Sequence, residues 1–525
     1  MKDSEQNIAQ TYDDVPYESF PFKQSHPTHL FTIATLFGLE PTPVEESRIL
    51  ELGCAAGGNI IPIATHYPKA KIVGIDFSSA EIEMGKNKIQ ALGLENIELR
   101  HQSILDFEKN EDLFDYIICH DVYSLVPDEV RESILTICNQ NLSKNGITYI
   151  SYNTLPGWNM VNNIRELMLW HTDRIENPSE KVKHARGILK FIADGLAEDQ
   201  SPYANFLKQE INSIQNQSDY YIRHEHLSIH NKSFYFNEFI TQATKHNLSF
   251  LGDAALSSMY TENLPEKFSK ELHKNNNIVV SNQYMDFIRN KRFSCTILCH
   301  DNIKIERKLK TEEISRFYLR INAKPTTKIT ENMIFDNSNI TFQVLNIKMS
   351  SDKTFVKAVL YILWQNRFKL ISYNTLFQEL KTMLNKSNKE THQALQVEAN
   401  LFRMALAGLV ELSCYPSQHT IHLSEKPMVC PLARHQAKTQ NSITNRNHQN
   451  IKLENIEAHV LQLLDGRHQI SDIQEEILSK IDSGELNILD AQKHPIMNHE
   501  QKHKIVEAFV HKALERFCQI AVLIK

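Results

Sequence analysis

The sequence predicts an α/β fold on a mainly parallel sheet, followed by a mainly helical middle and a mixed carboxy-terminal part. Three observations predict it. Short apolar runs alternate with amphipathic segments over residues 1–165, a glycine-rich turn follows the first clear strand, and helical patterns take over from Met160. RILELG (48–53) reads as the strand entering that turn, and Ile60–Tyr67 as the helix after it. KIVGIDFS (71–78) is the second strand and SAEIEMGKNKIQALG (79–93) the second helix. NIELRHQSI (96–104), the start of FDYIICHDVYSLV (114–126) and GITYISYN (146–153) are the third to fifth strands. EVRESILTICNQNL (129–142) is the helix between the last two. Strand–helix repeats of this length build parallel sheets.

Length and composition bound the rest. At roughly 150 residues per domain, 525 residues make about three domains. Hydrophobic residues at 41 % and charged residues at 23 % suit a globular protein with several cores. The formal charge is -6, from 57 Lys plus Arg against 63 Asp plus Glu. That argues against a strongly basic nucleic-acid platform, and no nucleic-acid partner is expected. Eight cysteines without a Cys-x-x-Cys pair make no disulfide scaffold. The opening MKDSEQNIAQ has no apolar secretion core. No run reaches the roughly 20 apolar residues of a membrane span. The expectation is a soluble, cytoplasmic protein without stable membrane insertion.

Beyond the α/β part, LMLWHTDRI, ARGILKFIADGL and PYANFLKQEINSIQ carry helical patterns. With 15 Gly in the whole chain, this stretch cannot complete a second glycine-rich nucleotide unit. Short mixed segments run from Asp301 to about Ile347. TLFQELKTML, ALQVEANLFRMALAGLVEL and TIHLSE (420–425) then give helix, helix and hairpin, the outline of a winged helix. Residues 427–450 are polar and read as irregular, and two or three helices close the chain from near Asn455. The expected domains are 1–165 for ligand binding, 166–300 as a mainly helical regulatory or substrate domain, 301–430 as mixed and winged-helix-like, and 431–525 as connector and helices.

ILELGCAAGGNI places Glu51, Gly53, Gly57 and Gly58 directly behind the first strand. Gly53 permits a tight turn and close ligand approach, and Gly57 and Gly58 let the next helix sit near the strand. Ala55 takes the middle place of a dinucleotide G-x-G-x-x-G, and no Gly-Lys-Ser/Thr follows, which disfavours dinucleotide and ATP-phosphate loops. Asp76 ends the second strand, where an acid accepts hydrogen bonds from ribose hydroxyls. Glu51 suits a nucleoside bearing a cationic sulfonium and an amino group better than a pyrophosphate. Cys54 and Phe77, beside Gly53 and Asp76, count with them as cofactor contacts, as does His120 behind strand four. Tyr12, Tyr17, Phe20 and Phe22 precede the first strand and could fold over a cofactor as a lid, with Tyr17 the preferred contact.

On these residues the segment resembles the class I S-adenosylmethionine-dependent methyltransferases. The resemblance implies a Rossmann-like methyltransferase domain with S-adenosyl-L-methionine as cofactor. It places Glu51 and the glycine turn beside the methionine part and Asp76 on the ribose. It also puts Gln102, Ser103 and Ile104 beside the adenine, with Ser103 standing where the family often has an acid. YDDVPYESFPFKQSHPTHL (12–30), HDVYSLVP (120–127) and SYNTLPGW (151–158) are similar to methyltransferases that carry a methyltransferase regulatory domain. YYIRHEHLSIHNKSFYFNEF (220–239) resembles that regulatory segment itself. The rickettsial protein-lysine methyltransferases of outer membrane protein B share this order of blocks. Residues 431–453 and LLDGRHQI (463–470) resemble the family's tail.

A cofactor that carries its own leaving group requires no covalent enzyme nucleophile. The protein must align an acceptor nitrogen, exclude water and, for lysine, promote loss of a proton. Tyr123 after strand four, and Tyr152, Asn153 and Trp158 after strand five, are the candidate catalytic residues. Tyr152 or Asn153 would orient an amine, and Tyr123 or Trp158 would stack on adenine or wall a cationic side chain. The alternative for these aromatics is core packing. His224, Glu225, His226 and His230 make an incomplete metal pattern and read as a polar structural network or the edge of a substrate pocket, and Cys295, Cys299 and His300 are incomplete as well and read as buried, so no metal is expected. Arg434, Asn445, Arg446 and His448 are expected to clamp domains or contact an acidic peptide. The apolar helix LFRMALAGLVEL favours protein contact or a homodimer over DNA. The leading function is methylation of a lysine side-chain nitrogen on an extended or partly unfolded protein, with an outer membrane protein precursor as the example. The alternatives are methylation of a small molecule or another protein group, and a non-catalytic cofactor-binding regulator.

Overall fold

The computed structural model describes residues 19–108, 113–345, 347–385, 394–487 and 498–525. Helix α1 (Pro27–Leu36) begins where His26 accepts the Thr28 N–H and Pro27 presets the first turn. Strand β1 (Arg48–Leu52) enters the glycine turn, and α2 (Ile60–His66) leaves it. Strand β2 (Lys71–Asp76) is followed by α3 (Ser79–Leu92). Ser78 caps α3 through the Glu81 N–H, and Gly93 ends it in the left-handed conformation. Then come β3 (Ile97–His101), β4 (Phe114–Cys119), α4 (Asp128–Gln140) and β5 (Leu142–Asn153).

Helices α5 (Gly157–His171), α6 (Pro178–Gly195) and α7 (Pro202–Gln215) pack around a small core of their own, including Ile164, Met168, Leu189 and Ile211. A π-helical turn at Ile222–His226 follows, with all five residues buried. Helix α8 (Phe236–Lys245), strand β6 (Leu248–Asp253), helix α9 (Ile278–Arg289) and strand β7 (Phe293–His300) return the chain to the main sheet.

That sheet has seven strands in the order β3-β2-β1-β4-β5-β7-β6. Strands β1 to β5 run parallel, and β7 lies antiparallel between β5 and β6. Chain order reverses beside β1, which pairs with β2 on one side and β4 on the other. The loops behind β1 and β4 therefore diverge and leave a crevice at the carboxyl ends of the strands. Strands β6 and β7 come from the stretch read as mainly helical, so residues up to 165 do not complete the sheet. FSCTILCH is a continuous apolar run, and such a run does not distinguish a buried strand from a buried helix by its period.

Residues Ile314–Leu412 form a further core around a small sheet, in which Tyr318–Ile321 lies between Ile371–Ser372 and Val410–Ser413. Helices Tyr373–Asn385 and Ala394–Leu406 pack there. The expected strand at 420–425 does not form, and Val410–Ser413 supplies the strand after the second helix instead. Residues 427–450 are also more regular than their polarity implies. Pro431–Thr439 is a helix, and Ser442–Thr444 pairs with Asn450–Lys452. Leu432, Ala433 and Ala437 carry the buried side of that helix. They and the final helices share one continuous core with the main sheet. Among the described residues no helix is long and apolar enough to cross a membrane.

Candidate active site

A cavity fills the crevice behind β1, β2 and β4. Gly53 turns the chain there at φ +75°, and a Cβ on it would come within 2.4 Å of Val122 Cγ2. Ala55 adopts φ +46°, a left-handed conformation that costs a non-glycine residue ~1 kcal/mol or more. Its N–H donates to Asp76 Oδ2 at 2.8 Å. Gly58 is where the amino-terminal segment crosses the turn, and its N–H donates to Ser19 Oγ at 2.7 Å. A Cβ on Gly58 would lie 2.1 Å from the Ser19 carbonyl oxygen.

Glu51, at the end of β1, is buried in the cavity wall. Its Oε1 accepts a hydrogen bond from Asn59 Nδ2 at 2.7 Å. Its Oε2 is buried with no hydrogen-bond partner among the described residues. Burial pushes its carboxyl up to about 8, with Asp76 adding to the shift and Asn59 opposing it. Asp76 ends β2, accepting the Ala55 N–H and, at 2.9 Å, the Ser78 N–H. Burial raises its pKa too, against those backbone bonds. The Phe77 N–H contributes as well, and the carboxylate oxygens have lone pairs beyond these backbone donors.

His120 lies behind β4 with Nδ1 2.9 Å from the Tyr149 hydroxyl. Burial lowers its pKa to about 3, so the ring is neutral at physiological pH. Phe22 stacks on it with centroids 3.7 Å apart. Cys54, Phe77, Ser103, Ile104 and Gln102 complete the expected set on the wall, and Phe20 and Phe22 close it from the amino-terminal side. Gly57 corrects the expectation, because it does not line the cavity. It shapes the turn, with its N–H on the Cys54 carbonyl at 2.9 Å. Tyr12 and Tyr17 lie outside the described residues.

A second cavity adjoins the first, and Asp121 lines both. Asp121 stands at φ +57°, its N–H donating to Ser151 Oγ at 2.8 Å. Asn153, Trp158, Tyr221, Glu225, His226 and Phe293 line the second cavity. Phe293 also meets the His120 ring edge-on at 5.9 Å, so the two cavities touch through side chains as well. Burial, and then the neighbouring Asp121 carboxyl, push Glu225 well above the usual carboxylate range, while Asn153 opposes them. Burial, aided by Arg165, lowers His226 to about 4. Glu210 is paired to Arg292 through two bonds of 2.5 and 2.7 Å. Among the described residues no group of three or more His, Cys, Asp or Glu is arranged to hold a metal ion.

Asn153 and Trp158 thus stand on a cavity wall, but Tyr123 and Tyr152 do not. Both tyrosines are closed into the core with Phe234 and Phe239, and Tyr152 stacks on Phe239 at 4.2 Å. Their hydroxyls bond Gln242 at 2.8 Å and Thr296 at 3.2 Å. The structure thus does not bring Tyr123 and Tyr152 onto either cavity with Asn153 and Trp158.

The comparisons with known proteins agree with this geometry. A family model described as a methyltransferase domain matches residues 43–201. One described as a predicted methyltransferase regulatory domain matches 218–300, and one described as the PKMT C-terminal winged helix domain matches 425–522. The uncharacterized protein RP789 of Rickettsia prowazekii (strain Madrid E) is 40 % identical over 521 residues, 98 % of this chain and 93 % of its own. PKMT2 from Rickettsia typhi, solved in complex with AdoHcy, is 36 % identical with a TM-score of 0.88, covering 97 % of this chain and 100 % of that one. The chain belongs to the PKMT2 family of methyltransferases.

Its architecture is that of a Rossmann-like methyltransferase core with a helical middle region and a carboxy-terminal winged-helix-like domain. The winged-helix match in this PKMT2-family chain falls at 425–522, beyond the helix–helix–hairpin outline that the sequence suggests before residue 425. Asp121 is legible as a polar residue after strand four, although its left-handed backbone is invisible in the sequence. Glu225 is legible as part of a polar cluster at a substrate-pocket edge, and its side chain lines the second cavity. Sequence reasoning misses other cavity residues. Tyr221 and Phe293 belong to distant elements. Asn59 carries a signal after all, as the polar residue directly behind the Gly57–Gly58 pair.

Proposed function

We propose that this chain transfers the methyl group of S-adenosylmethionine to a lysine side-chain nitrogen of a protein substrate. The observation that carries the reading is the meeting of the two cavities at Asp121. The first presents the acid of Glu51 to a cationic methionine part and Asp76 to a ribose. Bound there, S-adenosylmethionine supplies an electrophilic methyl on a sulfonium. Glu51 Oε2, the buried oxygen left without a partner, suits an ammonium or sulfonium. Phe20 and Phe22 exclude water from above the turn.

The second cavity suits the acceptor. Like charges side by side disfavour double ionisation, and burial with the Asp121 carboxyl favours the protonated form of Glu225, so the Asp121–Glu225 pair holds less than its full negative charge. That charge attracts a lysine ammonium, and Trp158, Tyr221 and Phe293 wall its alkyl chain. The same apolar walls lower the amine's pKa from about 10.4 by disfavouring its charged form. The carboxyl pair takes the released proton, leaving a lone pair to attack the methyl. Asn153 holds Glu225 in place, with its Nδ2 3.4 Å from Oε2 and 3.0 Å from Asn231 Oδ1.

The substrate we favour is an outer membrane protein precursor in extended form, met in the cytoplasm before export. The test supplies the full chain with methyl-labelled S-adenosylmethionine and an unfolded outer-membrane β-barrel protein, followed by peptide mass spectrometry. Label on lysine nitrogen is expected, and the double variant Asp121→Asn with Glu225→Gln, which removes both members of the carboxyl pair, should cut the single-turnover rate at least 100-fold. Label confined to small molecules, or to side chains other than lysine, refutes the reading.

A further inference from the structure

A buried chain of hydrogen bonds reaches the cofactor cavity from the far end of the protein. His448 follows the Ser442–Thr444 strand in the tight turn before Asn450–Lys452, at φ +56°, and is 2 % exposed. Its Nε2 lies 2.7 Å from Asn59 Oδ1, 389 positions away in the chain. Asn59 Oδ1 also accepts the Phe22 N–H at 3.0 Å, and Asn59 Nδ2 donates to Glu51 Oε1 and, at 3.0 Å, to Ser25 Oγ. The Phe22 N–H can only donate, so it fixes the oxygen end of the amide. His448 must then be the Nε2–H tautomer and donate as well. Burial holds its pKa well below the ordinary histidine value, with His26 and His66 adding to the effect, so the ring is neutral. The turn itself is pinned to the carboxy-terminal domain by Asn445 Nδ2 on the Ile520 carbonyl at 2.9 Å and the Arg446 N–H on the Ala521 carbonyl at 2.8 Å.

We propose that His448 is a positioning residue for the cofactor site, through which the carboxy-terminal domain completes the cavity that binds S-adenosylmethionine. This rests on the reading of the first cavity as the cofactor site. Among the described residues, Asn59 is the side chain that joins the acid on the floor, Glu51, to the aromatic lid residue Phe22. Its amide must present oxygen to Phe22 and nitrogen to Glu51 at once. The His448 donor reinforces that orientation with a further hydrogen bond to the same oxygen, contributed by the carboxy-terminal domain. Without it, Asn59 Oδ1 keeps the Phe22 N–H and the Ser25 hydroxyl but loses its shortest bond, and the hold of Asn59 on Glu51 and Phe22 loosens. The domain read from sequence as a clamp or peptide contact would then act on cofactor affinity.

The test measures S-adenosylmethionine and S-adenosylhomocysteine affinity by calorimetry on full-length wild type, His448→Leu, His448→Asn and His448→Gln. Asparagine tolerates the left-handed backbone but stops short of Asn59, so it guards against a folding defect in the leucine variant. Glutamine places an N–H donor near the position of the imidazole Nε2. Leucine and asparagine should weaken binding at least tenfold, and glutamine should restore it to within threefold of wild type. Thermal midpoints of the three variants should fall by similar amounts, because each loses the His448 ring packed edge-on against His26 at 4.7 Å. Wild-type affinity in the leucine and asparagine variants overturns the proposal. Equal weakness in all three variants assigns His448 to packing and also overturns it. Wild type that binds neither ligand refutes the cofactor reading itself, before any variant is compared.

Discussion

Between about pH 6 and about pH 7.5, S-adenosylmethionine binding should tighten about tenfold per pH unit, because Glu51 must lose a proton to meet a cationic ligand. Burial carries this carboxyl from the ordinary 4.5 to about 8, and Asp76 adds to the effect against the Asn59 hydrogen bond. Roughly one molecule in a hundred is then ionised at pH 6 and one in ten at pH 7. A ligand that binds only the ionised form has its affinity reduced by that fraction. Calorimetry in two buffers of different ionisation enthalpy should find close to one proton released per ligand near pH 6.5. Glu51→Gln should abolish both the slope and the release. The same proton sets a stability signature without ligand. The folded state keeps it between 4.5 and about 8 while the unfolded state gives it up, so stability falls as pH rises through that window. At ~1.4 kcal/mol per pH unit the loss has a ceiling of about 5 kcal/mol, absent from Glu51→Gln. A flat wild-type affinity over the window, or the same slope in Glu51→Gln, would refute the reasoning.

Asp76→Asn loses a carboxylate that accepts backbone N–H groups of the turn and lines the first cavity, so if it binds the ribose, calorimetry should show cofactor affinity about 10- to 100-fold weaker; an unchanged Kd would remove Asp76 from the site. Tyr152→Phe deletes a hydroxyl that bonds Thr296 inside the core, so denaturant unfolding should show a loss of about 1 kcal/mol and the single-turnover rate should stay within twofold. A tenfold drop in rate would return Tyr152 to the chemistry. Gly53→Ala meets both the left-handed backbone and Val122 Cγ2, so thermal and denaturant unfolding should register a loss of ~2 kcal/mol, and wild-type stability would show that the turn relaxes freely.

The parts of this protein legible in its sequence are those written in neighbouring residues. RILEL, KIVGID and their following helices are specified by period, caps and the glycine turn, all local. Glu51 and Asp76 are legible for the same reason, since each ends a parallel strand and adjacent parallel strands bring those ends together. The acceptor side was less so. Tyr152 and Asn153 are adjacent in β5, and successive side chains of a strand face opposite ways. Asn153 reaches the second cavity, while Tyr152 stacks on Phe239, so the pair could never form one cluster.

By itself, then, the sequence determined the five parallel strands of the sheet, the glycine turn, the two acids that line the first cavity and the class of cofactor they suit. The tertiary structure decided the rest: that β6 and β7 complete the sheet, that Asp121 meets Glu225, that the tyrosines belong to the core, and that His448 reaches Asn59. Those outcomes depend on which distant segments share a buried interface. Such choices are made by the burial of whole apolar faces against one another, a property of no short stretch of chain.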